Sequence, residues 1–160
     1  MSFIARTAWV ALLLFVAGEL CAFTVEYGDL FKVSDIENKN GIPVLPLTRG
    51  KYDNIRVLDK ETFEFLKACS QVCTQTSGQG LVEVRELRPA KTREGMWIVD
   101  VAIDGKWLIT FLVFSRKNTY EIQQPKDFNF LDTDLKGKVE KLIIDSIQRS
   151  HSPAKQENPR

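Results

Sequence analysis

The sequence predicts an α+β fold: a curled antiparallel sheet, built as a meander around an Asp-Gly hairpin, packed on a central helix, with a further helix at the C-terminus. Three observations carry this. Asp104-Gly105 separates two apolar runs, Met96–Ile103 and Trp107–Phe114, and a type I′ turn needs the positive φ that this dipeptide tolerates. Lys60–Cys73 repeats apolar residues at helical spacing behind Asp59, a residue type that caps helices. Leu135–Arg149 does the same with Leu135, Val139, Leu142, Ile143 and Ile147, behind Asp132 or Asp134.

At the N-terminus, Arg6 precedes an uncharged run from Thr7 to Gly18 that is too short to span a bilayer comfortably. With small residues at its end, it reads as a signal peptide over residues 1–22, cleaved after Ala22; an uncleaved anchor is the alternative. Cys21 does not suit lipidation, because Glu19 and Leu20 precede it where a small residue is wanted. Residues 23–150 then form a single α+β domain, and 151–160 read as a disordered tail. Cleavage would leave two cysteines, Cys69 and Cys73, in an oxidising compartment, either periplasm or extracellular space.

Phe23 to Leu58 has strand-and-turn character, with Glu37–Gly41 a turn by composition. Pro43 and Pro46 cannot donate ladder hydrogen bonds, so Ile42–Leu47 is an edge strand or extended arm. In the helix that follows, Thr62, Phe65, Leu66, Cys69, Val72 and Cys73 form one stripe, placing both cysteines on one face. Three outcomes are open there, a structural disulfide, two packed thiols, or a redox-active or metal-binding pair; a disulfide would require the helix to tighten or unwind, since its Cβ spacing exceeds the disulfide range.

Leu81–Leu87 reads as the next strand. A two-residue Asp-Gly turn then pairs Ile103 with Lys106, Val101 with Leu108, Val99 with Thr110 and Trp97 with Leu112. The other face pairs Ala102 with Trp107, Asp100 with Ile109 and Ile98 with Phe111. Both faces come out apolar, so the second must be covered by other elements or a partner. Asn118–Gln124 reads as one more short strand. The outline is similar to cystatin-like and NTF2-like domains in shape only, with no residue motif behind the likeness.

The chain carries 22 Lys plus Arg against 21 Asp plus Glu, a net charge of +1, which offers no basic surplus for nucleic acid. No stable membrane span is expected after signal cleavage. Its one His, His151, sits in the terminal run, so a His-based triad or zinc site has no material. Asp132–Gly137 lacks calcium-loop oxygens at the required positions, and Arg85, Arg88, Lys91 and Arg93 alternate with acids. No cofactor, metal or catalytic motif is expected. Asp100 interrupts an apolar strand and is a candidate buried carboxylate, either an ion-paired structural group or an acid/base catalyst.

These observations lead to an exported non-enzymatic binding or assembly protein, whose partner is another envelope or secreted protein. Its candidate binding residues are Trp97, Trp107 and Phe111 on the sheet and Pro43 and Leu45 on the edge strand. The alternative is a carrier of a small apolar ligand, held between sheet and helix by Phe65, Trp107 and Phe111.

Overall fold

The computed structural model describes residues 22–46, 54–91, 93–117 and 119–151. The expected signal segment before Ala22 and the run after His151 lie outside them. Among the described residues the fold is mixed α+β, with ten strands in two mainly antiparallel sheets, two helices and no closed barrel.

The first sheet starts with β1 (Phe23–Tyr27), whose alternation buries Phe23, Val25 and Tyr27 and leaves Thr24 and Glu26 outward. β2 (Phe31–Lys39) pairs with it, and an extra residue at Asp35 (φ +61) shifts the register so that Ile36 takes over the inward role from Phe31 and Val33. Asn40 and Gly41, both at positive φ, turn the chain into β3 (Ile42–Val44) on the same strand. β5 (Val72–Gln75) later joins β1 in parallel, and β10 (Phe128–Phe130) joins β2. The order is β10-β2-β1-β5.

The second sheet is a meander of β6 (Val82–Pro89), β7 (Met96–Ile103), β8 (Trp107–Arg116) and β9 (Thr119–Gln123), with β4 (Ile55–Val57) beside β8. Its inward face carries Val99, Val101 and Ile103 against Trp107, Ile109, Phe111 and Val113. Trp107 meets Tyr27 and Phe31 edge-on across the gap, and Phe111 meets Phe128, so the two sheets share one core. α2 (Thr133–His151) covers the β6 side of that face with Leu135, Val139, Ile143 and Ile147, each worth roughly 2 kcal/mol of burial.

Three sequence expectations are corrected. The helix α1 runs only Lys60–Lys67, and Val72–Gln75 is strand, so Cys69 and Cys73 do not share a helix face. β-branched Val72, Thr74 and Thr76 suit a strand, and the open edge of β1 supplies the partner. The hairpin turn keeps positive φ at Asp104 and Gly105, with the Lys106 amide donating to Ile103 at 3.0 Å, yet the register is one residue longer than expected. Ile103 pairs with Trp107, Val101 with Ile109 and Asp100 with Thr110, and the Lys106 carbonyl accepts from the Leu58 amide instead of from the hairpin. That slip moves every β8 side chain to the other face: Trp107, Ile109, Phe111 and Val113 turn inward, and Leu108, Thr110 and Leu112 turn outward beside Ala102, Asp100 and Ile98. Finally, His151 is helical, not part of a tail: its ring packs on Trp97 at 5.1 Å.

Candidate functional site

Asp100 points to the outer face of the second sheet but is only 2% exposed. Thr110 Oγ1 donates to its Oδ1 at 2.6 Å, and Arg56 Nη2 and Arg88 Nη1 donate to Oδ2 at 2.8 and 3.4 Å. These partners come from β8, β4 and β6, so the carboxylate ties neighbouring strands together. Burial alone would lower the Arg88 pKa, but Glu86 and Asp100 outweigh it and the guanidinium is held more firmly charged. Arg56 Nε is buried without a partner. With both oxygens already taken, this geometry is that of an ion-paired tie across the sheet.

A second polar network runs through the core. Asp59 caps α1 by accepting from the Thr62 amide at 2.7 Å and the Thr62 hydroxyl at 2.8 Å. Thr62 Oγ1 accepts from Gln75 Nε2 at 2.8 Å, and Gln75 Oε1 accepts from Trp107 Nε1 at 3.3 Å. At the hairpin end, Tyr27 donates its hydroxyl to Asp104 and accepts from the Gly78 amide, both at 3.0 Å. Burial pushes the Tyr27 phenol up to about 12; the Gly78 amide opposes the shift and Asp104 reinforces it. A Cβ at Gly78 would lie 2.6 Å from the Asp104 carboxylate, so glycine allows this approach.

Cys69 and Cys73 are both free thiols, Cys69 buried and Cys73 half-buried. Burial, with Cys73 alongside, pushes the Cys69 thiol up to about 12. A thiol so seldom ionised is a poor nucleophile. Among the described residues no cluster of His, Cys, Asp or Glu could hold a metal, and no helix is long and apolar enough to cross a membrane.

The candidate binding residues separate. Trp97, Trp107 and Phe111 share the inward face of the second sheet, where Trp107 is 0% exposed and Phe111 is also in the core. Trp97 is half-buried beside His151. On β3, Pro43 is buried and Leu45 beyond it packs on the core, while Ile42 stands 58% exposed. Phe65, Trp107 and Phe111 do not line one cavity. Phe111 borders a cleft of about 440 Å³ with Ile122, Phe130, Lys136 and Glu140; Phe65 borders another of about 370 Å³ with Glu61, Lys106 and Thr74–Gly78. The margin of β5, where Val72 is 67% exposed, is not legible in the sequence, because helical spacing runs on through Val72 and Cys73. Comparison with protein-family models, with curated proteins and with solved structures finds no match in any of the three.

Proposed function

We propose that this chain is an exported, non-enzymatic binding or assembly protein of the periplasm or extracellular space, engaging another envelope or secreted protein through an exposed strand margin. The observation that carries the reading is the placing of large apolar side chains in water at strand margins, Ile42 on β3 and Val72 on β5. Burial of Trp107 and Phe111 moves the reading away from the tryptophan face. Export rests on the N-terminal apolar run alone. In its native host the processed protein should begin at Phe23 and capture a defined partner from the envelope or secretome. An Ile42→Lys/Val72→Lys variant of unchanged fold should lose that partner, and equal capture by the variant would refute the reading.

A second reading, a carrier of a small apolar ligand, is favoured by the cleft between Phe111, Ile122 and Phe130 on one side and Lys136 and Glu140 of α2 on the other. Native mass spectrometry of the purified protein tests it, since a carrier retains extra mass that Phe130→Ala should release.

A further inference from the structure

β5 ends the first sheet, with β1 as its one sheet neighbour among the described residues. The Thr24 and Gly28 amides donate to the Gln71 and Gln75 carbonyls, each at 2.8 Å. Along a strand, successive residues turn their N–H and C=O groups to opposite sides, so Val72, Thr74 and Thr76 present theirs to the open margin. None of those groups has a hydrogen-bond partner among the described residues. The cleft of about 370 Å³ runs along this margin, with Thr74–Gly78 as one wall and Glu61, Phe65 and Lys106 as the other.

The β6 margin, by contrast, is shielded. β6, at the edge of the second sheet, carries a bulge, the charges Glu83, Arg85, Glu86 and Arg88, and Pro89, and α2 packs against it. From Gln71 to Leu81 there is no charged residue at all. Resting on the protein-binding reading above, we infer that the open margin of β5 is a strand-addition site for an extended segment of a partner protein. Extended backbone is what a row of unpaired ladder groups matches, and Phe65 and Val72 offer apolar footing for its side chains. The cleft lies between Thr74–Gly78 and Phe65 of α1, so a segment that pairs with β5 also meets the helix.

The test uses the intact protein to select from a display library of short random peptides. A selected peptide should protect the Val72, Thr74 and Thr76 amides from hydrogen exchange. It should bind Thr74→Pro or Thr76→Pro roughly tenfold more weakly, since each proline removes a donor on the open side while sparing the β1 ladder. Thr76 lies beyond β5, so its variant serves if Thr74→Pro fails to fold. The inference is overturned if no peptide is selected, if protection falls elsewhere, or if both proline variants bind at full strength. It is also overturned if these amides are protected in the free protein, or become so with rising protein concentration alone, which would mark self-association. A native partner captured equally by the wild type and both proline variants removes the β5 site and leaves the broader reading standing. A wild type that captures nothing, even while selecting peptides, removes the broader reading.

Discussion

Asp100 is held by donors from three strands, and the two guanidiniums over it remain partly in water. Asp100→Asn keeps the shape but leaves Arg56 and Arg88 facing each other without the shared counter-charge. It should lower stability by about 1–3 kcal/mol, read as a shift in the urea midpoint, whereas Arg56→Met should cost under about 1 kcal/mol. Tyr27 and Cys69 are acids whose folded values rise to about 12 from 10.0 and 9.0. On raising the pH the unfolded chain therefore loses these protons first, and unfolding is favoured. Their stabilisation is whole below about pH 9 and is lost as the pH climbs through about 12. Thermal melts across that window should fall steadily, and Cys69→Ala should delay the onset by about one pH unit, to where Tyr27 takes over. Likewise, iodoacetamide should label Cys69 in urea but scarcely in the native protein.

At the scale of elements, α1 shows how local pattern and long-range pairing compete. Asp59, Thr62 and Leu66 behave as their helical spacing predicts, and the cap was legible from the sequence. Asp59→Ala should cost about 1–2 kcal/mol by chemical denaturation, the upper part of the capping range, because it also frees the Thr62 hydroxyl that Gln75 uses. The helix end was not legible: Cys69, Val72 and Cys73 continue the helical spacing, but β1 offers an edge whose partner lies almost fifty positions away in the chain. β8 gives the same lesson within a hairpin. Asp104-Gly105 announces the turn, yet the register is one residue longer than a two-residue turn predicts and the Lys106 carbonyl meets the Leu58 amide, a contact no local pattern encodes. β10 is three residues long, below any usable periodicity.

Across the whole molecule, Trp107 and Trp97 report different environments although their strands pair directly. Trp107 lies between the sheets and donates to Gln75; Trp97 lies at the rim beside His151. Acrylamide should quench the emission lost in Trp97→Phe and leave that lost in Trp107→Phe untouched. Trp107→Phe should also destabilise by about 1–3 kcal/mol, leaving Gln75 Oε1 without its donor. The candidate binding surface follows the same logic: apolar character picks out Trp107 and Phe111, which are core, while helical spacing hides the exposed strand residue Val72. By itself, the sequence determined the α+β class, the meander, the C-terminal helix and the edge position of Pro43, all of which follow from local periodicity and turn chemistry. Only the tertiary structure decided which face of β8 is inside, where Asp100 finds its partners, and how Cys69 and Cys73 are placed. Those depend on strands that meet across the fold, and a one-residue change of register reverses a whole face while leaving its alternating pattern unchanged.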